Sequence, residues 1–273
     1  MDRLLELQTH ELEERHWWYR GRRRILRELM RRLALPPGVE ILDAGCGSGR
    51  NMVDLARYGR VTGLEIADAS VQWACKRGIG EIVQGSITEA PFADDRFDFA
   101  VCLDVLEHIE EEGDALRELR RVVRPGGRLL VTVPAYQSLW SEHDEINHHR
   151  RRYTRRSLST VAAQAGWETV WTTYFNGGLL PAAAAHRRLS RVRRSVDEPV
   201  SDLELTPLRL NTMLQAPLRL EAWIIGHGWR IPAGLSLMTV LRKAAADEAP
   251  GPPAGNGRLR PRERHELLRR MRR

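Results

Sequence analysis

The stretch "ILDAGCGSGR", residues 41–50, decides the fold because it joins a buried strand to a glycine-rich turn. Its first residues continue an apolar run that begins at Val39, and Gly45, Gly47 and Gly49 follow at every second position. A glycine turn between a strand and a helix lets the backbone approach a bound ligand closely. The stretch therefore predicts a ligand site at the end of the first strand.

Strand and helix patterns alternate on the C-terminal side of this turn. Strands are predicted at 39–44, 61–67, 81–87, 96–106 and 128–135, with helices at 49–59, 68–78 and 111–123. Such alternation is typical of parallel strands joined by right-handed crossovers, which gives an α/β, doubly wound (Rossmann-like) sheet. A further helix at 155–165 and two strands at 167–175 and 235–243 complete the pattern.

Three regions are expected along the chain. Residues 1–37 form an N-terminal helical cap with Gly21 as a candidate break, residues 38–246 form the main domain with a helical insertion at 176–234, and residues 247–273 form a flexible linker and basic tail. From Gly257 onwards the tail carries eight arginines against two glutamates, which is +6 of the chain's net +7. The body is therefore nearly neutral, whereas nucleic-acid enzymes usually concentrate positive charge around their site.

Apolar runs, leader patterns and cysteine content indicate the cellular compartment in which the protein works. The sequence contains no apolar run of about 18 residues and no basic-then-apolar secretory leader. Its three cysteines, Cys46, Cys75 and Cys102, do not form a disulfide or zinc pattern and indicate a reducing compartment. We expect a cytoplasmic protein. Its basic tail, together with apolar residues such as Trp223 in the insertion, can contact an anionic membrane surface; alternatively the tail is only a solvated end, and the insertion caps the pocket or forms a dimer.

The glycine turn departs from the phosphate-binding patterns. Position 50 is Arg, so the dinucleotide fingerprint is incomplete, and the triphosphate loop is absent. The carboxylate of Asp43 would repel a phosphate but attract an amine. Glu65, at the end of the second strand, is placed to accept both hydroxyls of a ribose. A ligand with a ribose, a cationic part and no phosphate has the properties of S-adenosylmethionine (SAM).

Five ordered motifs carry a family resemblance. The segments "VEILDAGCGSG", "VTGLEIA", "QGSI", "FDFAVCLDVLEHI" and "LRRVVRPGGRLLVTVP" resemble the class I SAM-dependent methyltransferases, especially those acting on small molecules and lipids. The resemblance covers residues 38–175. It implies SAM as cofactor and a seven-stranded sheet whose last strand is antiparallel.

The resemblance also implies which residues bind the cofactor. They follow the strands of the predicted sheet and are Asp43, Gly45, Gly47, Gly49, Glu65, Ile66, Ser86, Ile87, Leu103 and Asp104. Ser86 departs from the family, which often has Asp at this position to accept from the adenine amino group. A hydroxyl accepts more weakly than a carboxylate.

Residues that act on the methyl acceptor are expected in two other segments. The loop at 139–158 contains the candidate catalytic residues His143, His148, His149 and Tyr153, with Asp144 beside them. Alternatively this loop is only a polar lid. No metal site is predicted, although the histidines offer donors. His108 is expected to be a structural contact of the cofactor or, alternatively, a catalytic group.

The second segment is "HWWYRGRR", residues 16–23. Its aromatic residues either wall the substrate pocket or pack into the core, and Arg20 or Arg22 could meet the cofactor carboxylate.

The sequence thus predicts a SAM-dependent methyltransferase acting on a small-molecule or lipid-linked acceptor, at oxygen. The alternatives are transfer to nitrogen or carbon, an RNA-binding methyltransferase, and a SAM-binding module without catalysis. DNA is not an expected partner because the fourth strand ends in "LDVLEH" and not in the Pro-Pro clamp of DNA amino-methyltransferases.

Overall fold

A computed structural model describes residues 13, 14, 16–181 and 208–245 of the chain. The beginning of the N-terminal cap, residues 182–207 of the insertion and the linker and tail at 247–273 lie outside the described residues. Within the described part, no helix combines the length and the apolar character needed to cross a membrane.

Seven strands and seven α-helices make up the described structure. The strands are β1 (Val39–Ala44), β2 (Gly59–Glu65), β3 (Glu81–Gln84), β4 (Phe97–Leu103), β5 (Val123–Pro134), β6 (Glu168–Phe175) and β7 (Ser236–Arg242). The helices are α1 (Trp17–Leu33), α2 (Arg50–Leu55), α3 (Asp68–Arg77), α4 (Glu112–Val122), α5 (Glu142–Ile146), α6 (Arg155–Gln164) and α7 (Leu208–Gly226). Short 3-10 turns at Leu106–His108 and Gln137–Leu139 follow β4 and β5.

The strands form one sheet in the order β3-β2-β1-β4-β5-β7-β6. β1 to β5 pair in parallel, and β7 runs antiparallel between β5 and β6. The predicted α/β doubly wound sheet with an antiparallel last strand is confirmed. Because parallel strands end at the same edge, the residues after β1, β2 and β4 meet there.

Alternate residues of the central strands enter two hydrophobic clusters on opposite faces of the sheet. Leu42 joins the cluster that also contains Leu116 of α4, whereas Ile41 joins the cluster that contains Leu29 of α1 and Leu218 of α7. This alternation is the two-residue period of a strand buried on both faces. The sheet is therefore covered on both sides, as a doubly wound fold requires.

The N-terminal cap and the insertion are joined by the packing of α1 against α7. A Cβ atom on Gly21 would lie 2.9 Å from Cβ of Leu218, so glycine permits this close approach. The candidate break at Gly21 was wrong, because α1 continues through it from Trp17 to Leu33. At the other end of the contact, Gly226 of α7 approaches Glu28 of α1, so the two helices run in the same direction.

The Gly21→Ala variant tests this packing. Alanine favours an isolated helix by about 1 kcal/mol over glycine, but overpacking against Leu218 costs about 1–3 kcal/mol. We expect a net loss of stability, seen as a lower melting temperature of the full-length protein. Arg24→Ala, at an exposed position of the same helix, is the control with little change. An unchanged or raised melting temperature for Gly21→Ala would contradict this account.

Candidate functional site

The glycine turn is fixed to the sheet by its own backbone. The amides of Gly45 and Cys46 both donate to the carbonyl of Leu64, at 2.8 and 3.0 Å. Gly47 has φ +53°, and the place of its missing Cβ has no other heavy atom within 4 Å. The turn therefore presents bare backbone to open space, which is the arrangement that admits a ligand at close range.

Glu65 ends β2 and is held by backbone amides. One carboxylate oxygen accepts from the Gly47 amide at 2.8 Å, and the other accepts from the Ile66 and Ala67 amides, both at 2.9 Å. A carboxylate has about four acceptor positions, so this fixed group keeps capacity for a ligand hydroxyl. Beside it, Ile66 is 68% exposed and offers an apolar surface for a flat ring.

Ser86 and Ile87 follow β3 along the same edge. The Ser86 hydroxyl lies 2.8 Å from the Thr88 hydroxyl and accepts from the Thr88 amide, while Ile87 is buried in the core. The Ser86 hydroxyl thus already has a local partner within its turn.

Asp43, in β1, is a buried acidic group without compensation. Its side chain is 1% exposed, and neither carboxylate oxygen has a hydrogen-bond partner in the described part of the protein. Burial raises the pKa of this carboxyl to about 7, and the nearby charges of Glu65 and Glu13 act in the same direction. A buried carboxylate of this kind is stabilised by a cationic ligand.

Asp104 lies directly after β4 in a left-handed conformation, with φ +56°. Its carboxylate accepts from the Thr132 hydroxyl at 3.0 Å and forms an ion pair with Arg22 of α1. Arg22 was expected to meet a cofactor carboxylate, whereas here it ties α1 to the end of β4.

A cavity of about 410 Å³ opens at this edge of the sheet. Gly45, Gly47, Leu103 and Asp104 line one side, and Trp17, Trp18 and Tyr19 of α1 line another. The aromatic residues of the N-terminal segment therefore wall the cavity, one of the two alternatives drawn from the sequence. His16 begins this wall by capping α1, since its Nδ1 accepts from the Trp18 amide at 3.3 Å.

The histidine-rich segment lines the side of the cavity opposite the glycine turn. His149 Nδ1 lies 2.9 Å from Oδ1 of Asp144. The fully buried Asp144 also accepts from Arg152, at 2.7 Å from Nε and 2.8 Å from Nη2. These partners hold the pKa of Asp144 well below its usual range, so His149 borders the cavity with a fixed negative charge behind it.

The other candidate catalytic residues occupy different positions. His143 lines the cavity, with its ring centroid 6.1 Å from that of His149. His148 is exposed and is not among the lining residues. Tyr153 is 2% exposed and donates to Glu112, away from the cavity lining. This burial and hydrogen bond raise the pKa of its phenol, an environment that favours a structural role.

Sequence reasoning missed Glu107. It is 1% exposed, it lines the cavity, and Oε2 has no hydrogen-bond partner among the residues the structure describes. Burial raises the pKa of the Glu107 carboxyl well above its usual range, with the Asp104 charge adding to the effect. The signal was a carboxylate next to His108 in "VLEHI", directly after a strand of the ligand-binding edge.

These features fit the methionine and ribose parts of SAM. Asp43 and Glu65 supply acidic groups where an ammonium and ribose hydroxyls need acceptors, and Gly47 leaves space for a close approach. Asp43, Glu65 and Ile66 are outside the lining of the 410 Å³ cavity. The cavity itself therefore adjoins the reacting end of such a cofactor and extends toward His149.

Comparison with known proteins gives the family. Residues 42–131 match the model of a methyltransferase domain. A probable S-adenosylmethionine-dependent methyltransferase of Mycolicibacterium smegmatis is 31% identical over 198 residues, which cover 70% of this chain and 75% of that protein. A ubiquinone biosynthesis O-methyltransferase of Alkalilimnicola ehrlichii is 36% identical over 103 residues, covering 35% of this chain and 42% of that one.

The same fold is found in solved structures. The complex of the Haloferax volcanii Trm112 methyltransferase activator with a methyltransferase aligns with a TM-score of 0.60 at 18% identity, over 90% of this chain and 97% of that chain. The chain spans about half the length of several curated relatives that it matches. The matched domain, the fold and the extent of the Mycolicibacterium alignment agree. This chain therefore belongs to the S-adenosylmethionine-dependent methyltransferases.

Proposed function

We propose that this protein transfers the methyl group of SAM to a hydroxyl oxygen of a small-molecule or lipid-linked acceptor. The observation that carries the proposal is a single cavity that joins the glycine turn and Asp104 to His149 and its buried Asp144 partner. Methyl transfer to oxygen requires a bound methyl donor at one side of such a cavity and removal of a hydroxyl proton at the other.

The cofactor side of the site acts by binding and orientation. Glu65 accepts from the ribose hydroxyls, Ile66 packs against the adenine, and Asp43 balances the ammonium of the methionine part. SAM supplies an electrophilic methyl group on a sulfonium, which needs little further activation. The chain's main task is therefore to align the acceptor oxygen with the methyl carbon near Leu103 and Asp104.

The acceptor side combines apolar walls with a polar corner. Trp17, Trp18, Leu179 and Leu235 border the cavity and suit an acceptor with an apolar body. His149 is the side chain that promotes loss of the hydroxyl proton, and its ring is held in place by the contact of Nδ1 with Asp144. The O-methyltransferase among the relatives supports oxygen as the receiving atom.

Contact of the tail with an anionic membrane stays a prediction, since residues 247–273 lie outside the described structure. A lipid-linked acceptor would make such contact useful, because its anchor remains in the bilayer while its head enters the cavity.

The first prediction concerns Glu65. Charge-assisted hydrogen bonds contribute about 1.5–3 kcal/mol each, so Glu65→Ala should raise the dissociation constant of SAM tenfold or more in calorimetry. Asp68→Ala, at the exposed start of α3, is the matched control and should bind normally. Equal affinity of Glu65→Ala and the wild type would remove Glu65 from the cofactor site.

The second prediction concerns Asp43, whose pKa of about 7 in the folded protein lies above its unfolded value. The buried charge therefore destabilises the cofactor-free protein as pH rises from about 4 to 7, and at pH 8 the full cost is present. Asp43→Asn should melt at a higher temperature than the wild type at pH 8, without that advantage near pH 4. It should also bind SAM more weakly at pH 8. Tighter SAM binding by the variant would contradict the assigned role.

The third prediction tests the proposed function itself. His149→Ala should lower turnover by roughly 10²–10⁴ and leave SAM affinity intact, whereas His148→Ala should retain turnover. Formation of S-adenosylhomocysteine is measured against a panel of phenols, catechols and polyprenyl phenols. The proposal fails if SAM binds but no member of the panel is methylated, or if the product carries the methyl group on carbon or nitrogen.

A further inference from the structure

We propose that Glu107, His108 and His149 form a binding site for one divalent transition-metal ion at the acceptor side of the cavity. All three residues line the cavity, and their donor atoms lie within 4.8 Å of one another. The inference rests on the proposed function and departs from the sequence-based expectation that no metal is bound. The proposed metal ion is the group through which His149 and its neighbours act on an acceptor hydroxyl.

The strongest support is the carboxylate of Glu107. It is 1% exposed, and Oε2 has no hydrogen-bond partner among the described residues. Buried carboxylates are normally paired with a cation or coordinate a metal. The nearby cations Arg22 and Arg152 are engaged by other carboxylates, Asp104 and Asp144 respectively, so a bound ion is the group that would compensate a charged Glu107 carboxylate.

His149 has the surroundings of a metal-binding imidazole. Its Nδ1 is hydrogen-bonded to Asp144, which leaves Nε2 as the ligating nitrogen. Metal-bound histidines typically donate their second ring N–H to a carboxylate, which fixes the ring and strengthens it as a ligand. Asp144 is itself fixed by two bonds from Arg152.

The segments that carry the three ligands are held together by one backbone hydrogen bond and one side-chain hydrogen bond, both donated by Arg150. The amide of Arg150 donates to the carbonyl of Glu107 at 2.8 Å, and Nε of Arg150 donates to the carbonyl of His108 at 3.2 Å. The rings of His108 and His149 consequently lie edge to face, 4.7 Å between centroids. An ion bound at about 2.0–2.2 Å from each donor would draw together three donor atoms that already lie within 4.8 Å of one another.

The donor set selects the class of ion. Two imidazoles and one carboxylate suit Zn²⁺ and its neighbours in the first transition row, whereas Mg²⁺ and Ca²⁺ favour oxygen donors. Three protein ligands leave coordination positions open toward the cavity, as in catalytic zinc sites. An acceptor hydroxyl bound to the ion would release its proton to solvent more readily, as metal-bound water does. The resulting oxygen attacks the methyl carbon, the C–S bond breaks, and its electron pair stays on sulfur to give S-adenosylhomocysteine.

The test is a metal titration of the full-length protein after treatment with a chelator. We expect one equivalent of Zn²⁺ to bind per chain in calorimetry, and Co²⁺ to give visible d–d absorption at the same stoichiometry. Glu107→Gln and His149→Ala should each weaken Zn²⁺ at least tenfold, since loss of a group that merely orients a ligand already weakens metal affinity about 10–100-fold. His148→Ala, at the exposed neighbouring histidine, should bind like the wild type.

Controls separate the metal site from folding and from the proposed reaction. Circular dichroism and SAM affinity show whether each variant is folded, and His108→Ala replaces Glu107→Gln if that variant is not. Absence of stoichiometric Zn²⁺ binding, or unchanged affinity in Glu107→Gln and His149→Ala, overturns the metal site. Full turnover by chelated protein also overturns it but leaves methyl transfer intact, with His149 as a direct base. Site-specific Zn²⁺ binding without methylation of any hydroxyl acceptor supports the site and refutes the proposed function.

Discussion

Parallel pairing of β1 with β2 and β4 brings three carboxylates, Asp43, Glu65 and Asp104, to one edge of the sheet. Like charges so close together need compensation, and each group is treated differently. Arg22 pairs with Asp104, backbone amides bond Glu65, and Asp43 has no partner in the described structure. This uneven compensation leaves Asp43 as the carboxyl that a cationic ligand would balance, which is the role proposed for it.

The acceptor half of the cavity depends on a different carboxylate. Asp144 is fully buried, yet it keeps its charge because Arg152 and His149 surround it. Through these contacts a segment with little regular structure acquires a fixed position beside the end of β4. In the proposed function, the sheet edge binds the methyl donor and the His-rich segment contacts the acceptor.

Local sequence predicted the sheet and placed the glycine turn and Glu65 at strand ends, where the structure has them, while their role toward the cofactor stays a prediction. It could not predict contacts between distant segments. The contact that requires Gly21 comes from Leu218 of α7, and the partner of Arg22 is Asp104, 82 positions along the chain. Likewise, Tyr153 looked like a polar loop residue, whereas its hydroxyl meets Glu112 inside the protein. Glu107 was missed although it stands beside His108 at the end of a predicted strand, because its burial without a partner arises from contacts between distant segments.

The packing of α1 on α7 has a consequence for how the protein is made. The residues of α1 are synthesised before those of α7, although α7 provides the surface that buries part of α1. Until α7 is synthesised, only part of the apolar face of α1 is covered, and α1 is not held firmly beside the edge of the sheet. Closure of the cavity is thus a late, non-local step of folding. A nascent chain that contains β1 to β6 therefore still lacks the helix that covers α1, which links formation of the cavity wall to the synthesis of α7 and β7.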